Sequence, residues 1–199
     1  MEVHQAIFQR RSVRQYTAAV VPPTVIADLL KAATQAPSAV NLQPWAFAVV
    51  RGRQRLHDYS ARAKSHLLSI LPQTLSLHRR SDQLASEDYN VFHDAGTLVV
   101  ICAKPAPYHP AEDCGLAAQN FMLAAHAMGL GTCPIGFVRP WLDLPFIKSE
   151  LGIAAHYSVV LPLVVGYPAG STAAPPRQEP EIICWHSGPE DAHRPARPA

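Results

Sequence analysis

Charge, paired cysteines and long apolar runs are all scarce in this chain, and each shortage excludes a class of protein. Charged residues make up 16% of the 199 positions against 48% apolar ones. That balance describes a globular core, not a disordered chain, and so little charge hints that a partner subunit covers extra surface. A net charge of +2 does not call for nucleic acid. Arginines gather at Arg51, Arg53 and Arg55 and at Arg79 and Arg80, without the interleaved aromatics of a single-strand binder. No apolar run approaches the ~18 residues of a membrane helix; Val159 to Val165 is interrupted by Pro162. Met1 to Arg11 lacks the apolar centre of a signal peptide, so a cytoplasmic location is expected. Cys102, Cys114, Cys133 and Cys184 stand singly, as reduced and mostly buried thiols would. The histidines show no metal spacing; His109 with Asp113 and Cys114 comes nearest, and a helix start explains it better. No Ser/His/Asp or Cys/His constellation is evident, and no metal site is expected.

What is present reads as one domain over residues 1–187 with a frayed, proline-rich tail at 188–199. Periodicity predicts helices over Glu2 to Gln9, Pro23 to Gln35, Gln54 to about Leu71, Glu112 to about Met128, and Leu142 to Leu151. Strands are expected at Trp45 to Val50, Thr97 to Ala103 and Ser158 to Gly166, the second apolar on both faces and hence central. Ile182 to Trp185 suggests a short edge strand, in this chain or on another subunit. The helix near residue 120 is apolar nearly all round, which suits a central helix or one shared across a dimer. Gly129-Leu130-Gly131 closes that helix, so a C-cap accounts for it better than a dinucleotide fingerprint. Pro72 to Asn90 is poorly patterned and reads as a lid or a partner-contacting excursion.

Three stretches carry chemistry. In Arg10-Arg11-Ser12-Val13-Arg14, the guanidinium groups suit either a helix C-terminus or a phosphate site, because arginine forks match phosphate oxygens. In Ala36-Pro37-Ser38-Ala39-Val40-Asn41-Leu42-Gln43-Pro44-Trp45, two prolines bracket a loop of small and amide residues. It is either an ordinary helix-to-strand connection or a surface that reads the edge of a flat ring. Thr132 to Phe137 is an extended run with little side-chain bulk, able to lay backbone amides against a planar ligand or simply to turn. Cys133 beside it is either a packed thiol, the favoured account, or a redox one.

These stretches, with Gln119-Asn120-Phe121, Gly166-Tyr167-Pro168 and Arg177, occur in the order and spacing that resemble the FMN-dependent nitroreductase family. The resemblance spans about Val3 to Trp185. It implies an α+β fold: an α/β/α sandwich with a mainly antiparallel central sheet, in an intertwined homodimer with two FMN sites at the interface. It further implies that Arg10, Arg11, Ser12 and Arg177 hold the FMN phosphate and that Arg14 faces the pyrimidine side of the ring. Pro37, Ser38, Ala39 and Asn41 would come from the partner subunit. Pro134, Ile135 and Gly136 would set backbone amides near flavin N5 and O4. The implied activity is hydride transfer from NADH or NADPH to the flavin, then reduction of a nitroaromatic, quinone or similar conjugated acceptor. A flavin-binding dimer without turnover is the alternative, as is a branch that dehalogenates, dehydrogenates a ring or fragments flavin. Many members carry an acidic residue before the glycine after Pro-Ile; here Ile135 runs straight into Gly136.

Overall fold

In the computed structural model, residues 1–70 and 78–186 are described, the side chains of 78–81 excepted. Four antiparallel strands form one sheet in the order β1-β2-β4-β3: β1 Trp45–Arg51, β2 Thr97–Ala103, β3 Gly131–Pro134 and β4 Ser158–Gly166. β2 is buried at every position, as its continuous apolar run requires of a central strand covered on both faces. Its alternation sends Leu98, Val100 and Cys102 to one face and Val99, Ile101 and Ala103 to the other. On the first face lie Leu56, Tyr59 and Ala63 of helix α3 (Arg53–Ile70), with Trp141 and Phe92 at its centre. The second face carries Ile26, Leu29 and Ala33 of α2 (Pro23–Ala33) and Ala117, Phe121 and Ala125 of α5 (Pro110–Ala127). A register shift between Ile101 and Cys102 leaves Val160 without a β2 partner. The bulge rotates β4 by one side chain, which is why Val159 and Val164 share a face.

Helix ends follow local chemistry. α5 begins with Pro110 in its first turn and places Glu112 and Asp113 against the positive end of its dipole. It stops at Gly129, whose φ of 77° is the left-handed conformation that a Cβ disfavours. Gly129 N–H donates to His126 O and Leu130 N–H to Ala125 O, the paired bonds of a Schellman cap, so Gly129 closes this helix while Gly131 already belongs to β3. The single helix expected over Leu142 to Leu151 is instead two, α6 (Arg139–Leu142) and α7 (Pro145–Glu150). Pro145 forces Leu144 into an extended conformation and breaks the run. Within Pro72 to Asn90 the structure shows helix α4 (His78–Ala85), packed on α3. Residues 71–77 and the tail 187–199 lie outside the described residues. Ile182 to Trp185 forms no strand in the chain, and its apolar side chains are exposed, Ile183 at 95% and Trp185 at 76%.

Burial pushes the thiols of Cys102 and Cys114 up to about 11 and about 12. A folded value above the unfolded one means that the unfolded chain releases these protons first. Their stabilisation is therefore whole below the unfolded thiol value of about 8.5 and lost as pH rises through the folded values. The urea midpoint is expected to stay level from about pH 6 to 8 and to fall above about pH 9, less steeply in Cys114→Ala. A midpoint that is level through this alkaline range would contradict the assignment.

Candidate active site

Helix α1 (Val3–Gln9) delivers the arginine cluster to the β3 edge of the sheet. Directly after it, Ser12 bridges Thr132 in parallel, and Val13 N–H donates to Thr132 O at 2.9 Å. Tyr16 then bridges Pro168, and Ala169 N–H donates to Gln15 O. Two glycines make this docking possible. Gly131 and Gly166 are cross-strand partners, and a Cβ on Gly131 would lie 2.6 Å from Val13, one on Gly166 2.9 Å from Tyr16. Val13 and Tyr16 are buried there, which leaves Arg10, Ser12 and Arg14 at alternate positions free of that contact.

The cations do not all serve one purpose. Arg11 Nη1 donates to Phe8 O at 2.6 Å and to Arg10 O at 2.8 Å, closing the C-terminus of α1. Arg10 carries the more consequential charge. Burial lowers its pKa, and next come the like charges of Arg177 and then Arg11. The charge of Arg177 is thus felt at Arg10 although 167 positions separate them in sequence. No ion pair to Arg10, Arg11, Arg14 or Arg177 occurs among the described residues. An uncompensated, partly buried cationic cluster of this kind is a ready site for an anion. His126, on the last turn of α5, lies behind it. Burial and then the charges of Arg10 and Arg11 lower its pKa, and its buried Nε2 has no hydrogen-bond partner among the described residues.

Arg14 lines a cavity of about 390 Å³ together with Pro134, Ile135 and Gly136, so four of the expected residues meet there. Ile135 N–H donates to Pro162 O, which ties the turn to β4. Gly136 opens a short 3-10 turn, Gly136–Val138, and the space its Cβ would fill is open. A flat ligand can therefore approach the backbone closely here. Cys133 lines the same wall but is only 2% exposed. Burial raises its pKa despite the opposing influences of Arg14, Ser12 and Arg10, and its Sγ contacts Pro134 O at 3.6 Å. The packed-thiol reading fits it best.

The Pro37 to Asn41 stretch lies elsewhere. It precedes β1, at the opposite edge of the sheet from β3 and about 14 Å away over three strand spacings. It also lies at the other end of the strands, since Trp45 pairs with Ala103 whereas Thr132 stands level, through Val165, with Thr97. Within one chain, Pro37, Ser38, Ala39 and Asn41 do not join Arg14. The loop is nevertheless tightly built: Gln43 N–H donates to Ser38 Oγ, Gln43 Nε2 to Asn41 Oδ1, and Ala39 N–H to Asp113 Oδ2. These bonds hold Val40 at φ 43°, a left-handed conformation that costs a β-branched residue free energy.

Sequence reasoning named none of four further lining residues, Gln83 and Leu84 of α4, Tyr89 and His93, although the first three fall in the stretch it read as a lid, and Phe137 completes the lining from within the turn. The one signal available was Asn90 before the apolar pair Val91-Phe92, an Asx-type turn start. Asn90 Oδ1 accepts Phe92 N–H at 2.9 Å, and both apolar residues are fully buried.

Comparison with known proteins followed these lines. The model of the Nitroreductase family matches residues 7–167. A provisional NADH dehydrogenase/NAD(P)H nitroreductase of Methanothermobacter thermautotrophicus is 31% identical over 194 residues, covering 92% of this chain and 86% of the relative. A 4-nitrobenzoate reductase of Nocardioides is 27% identical, over 84% and 81% of the two chains. The crystal structure of a Bacteroides fragilis nitroreductase with bound FMN superposes with a TM-score of 0.81 at 26% identity, covering 94% of this chain and all of that one.

Gly131→Ala is expected to cost about 1–3 kcal/mol by overpacking against Val13. In a double-mutant cycle, Val13→Ala should recover part of that loss. Strictly additive urea midpoints would mean that the two side chains do not compete for the space.

Proposed function

The chain belongs to the nitroreductase family, and on that premise we propose that it is an FMN-dependent oxidoreductase working as a homodimer. It takes hydride from NADH or NADPH and passes electrons to a nitroaromatic, quinone or similar conjugated acceptor in two half-reactions at one pocket. The observation that carries this reading is a partly buried Arg10 under the like charge of Arg177, with no carboxylate paired to either among the described residues, together with a cavity that holds Arg14 and a bare backbone turn. A phosphate, a polar ring edge and a flat ring are what those three features accept. Bound FMN would supply the hydride chemistry, for which no side-chain nucleophile is needed.

The chain's own residues then have distinct tasks. Arg10 and Arg177 hold the phosphate with Ser12, and Arg11 contributes charge while it closes α1. Arg14 faces the pyrimidine edge, where its cation favours negative charge on the ring. Pro134, Ile135 and Gly136 offer backbone at the opposite edge. Pro37, Ser38, Ala39 and Asn41 lie at the far corner of their own sheet, which supports their delivery to the site by a partner subunit. Exposed apolar side chains support a homodimer too: Val3 and Phe8 on α1, Leu116 on α5, and Ile182, Ile183 and Trp185 near the end of the described chain. No helix among the described residues is long and apolar enough to cross a membrane.

Loss of the Arg10 guanidinium removes charge-assisted bonds of about 1.5–3 kcal/mol, so Arg10→Ala is expected to weaken FMN binding roughly ten- to a hundredfold. Unchanged flavin content in the purified variant would remove the phosphate role. Rapid anaerobic mixing of the FMN-loaded protein with NADH or NADPH is expected to bleach the flavin as fast as turnover, and added nitroaromatic or quinone to restore it. A flavin that stays oxidised would instead indicate a binding protein.

A further inference from the structure

The turn from Asn90 to Asp94 brings into the cavity a titratable group to which the sequence reading gave no role. Val91 and Phe92 are fully buried, and Val91 N–H donates to Ser60 Oγ, so the turn is anchored to α3. His93 and Asp94 both take left-handed φ angles of 54° and 55°, which swing them off the anchored pair. His93 lines the cavity with Arg14, and the Tyr89 ring stands edge-on to its imidazole at 6.3 Å and 71°. The adjacent carboxylate is occupied, since Asn90 Nδ2 donates to Asp94 Oδ1 at 2.8 Å.

We propose that His93 is the proton-accepting residue of this site: when bound flavin gains electrons beside Arg14, the imidazole takes up one proton from solvent and balances the negative charge on the ring. The proposal rests on the flavin reading above. Two electrons and one proton leave the ring with one net negative charge, and the second proton forms an N–H bond on His93. The electrons come from the nicotinamide in turnover or from an electrode in the test, and no other bond forms or breaks.

Among the described residues, no other group around the cavity offers an imidazole. Arg14, from the segment after α1, has donors and no acceptor, and Tyr89, on the same loop as His93, offers a phenol. Burial keeps the Cys133 thiol of β3 protonated. Gln83 and Leu84 of α4 and Pro134 to Phe137 do not titrate. Among the described residues, the charges acting on His93 are therefore Arg14, which lines the same cavity, and Asp94 beside it. Burial first and Arg14 second lower the pKa of His93, with Asp94 opposing, so the imidazole is neutral while no anion is present. An anion that appears next to Arg14 cancels that cation's influence and draws a proton onto the ring nitrogen.

The test reduces the FMN-loaded protein anaerobically at an electrode in weak buffer and reads proton uptake with an indicator dye. Near pH 7 the wild type is expected to take up about two protons per flavin and His93→Gln about one. The wild-type excess should be bell-shaped in pH, because His93 is already charged in acid and stays neutral in alkali. Uptake of one proton by the wild type at every pH, or the same uptake in His93→Gln as in the wild type, overturns the proposal while the flavin reading stands. Should His93→Gln fail to fold, His93→Asn is expected to lose the same proton, and uptake of about two protons by a folded, FMN-loaded His93→Asn overturns the proposal. A wild type that binds no FMN overturns the flavin reading itself, and this proposal with it.

Discussion

Two glycines facing each other across β3 and β4 are the constraint from which the site is built. Gly131 and Gly166 leave a bare strip at the sheet edge, and Val13 and Tyr16 fill it so closely that neither glycine has room for a methyl group. The Tyr16 hydroxyl turns back to donate to Val13 O, which locks the two plugs together. An extended backbone alternates its side chains, so burying Val13 fixes the directions of Ser12 and Arg14. The polar half of the segment is thus aimed by its apolar half. Small residues in the strands set the position of large charged ones that are distant in sequence.

Electrostatics complete what packing begins. A cation at the end of α1 was open to two readings, and both are realised by different residues. Arg11 caps the helix through Phe8 and Arg10 carbonyls. Arg10 meets Arg177 and no carboxylate among the described residues. Like charges held together in partly buried surroundings raise the free energy of the empty site, and a phosphate relieves it. Under the proposed function, part of the affinity for cofactor is set by repulsion already present in the fold. Burial and then Arg14 lower the pKa of His93, and burial and then Arg10 and Arg11 lower that of His126.

The cavity has one wall of bare backbone and one of side chains, and they differ in origin. Pro134 to Gly136 belong to the turn after β3, held to β4 through Pro162 O. The facing wall comes from α4 and the Asn90 turn, a region whose anchors are Leu84, Val91 and Phe92. Those anchors pack on α3 and the first face of the sheet, so variation there would leave the second face untouched. In the proposed reading, that wall is where the choice of acceptor and the proton balance reside.

The sequence alone determined the strands and most helices, because their signals are local. The unbroken apolar run of β2, Pro110 at the start of α5 and Gly129 at its end each act within a few residues. It also marked Arg14 and Pro134 to Gly136, which the fold unites at one cavity, and Arg10, which lines a neighbouring one with His126. Pro145 was visible as well, yet the strength of its break was not, and one expected helix became two. Only the tertiary structure decided that Arg11 turns away to its own helix and that His93 shares a cavity with Arg14, whereas the grouping of Arg177 with Arg10 was already implied by the family resemblance. It also decided that Pro37 to Asn41 stand at the diagonal corner of the sheet from the residues they were grouped with. Pattern and propensity act along the chain over one or two turns. Which distant side chains share a cavity depends on strand order, register and a pair of missing methyl groups, and those act only once the sheet exists.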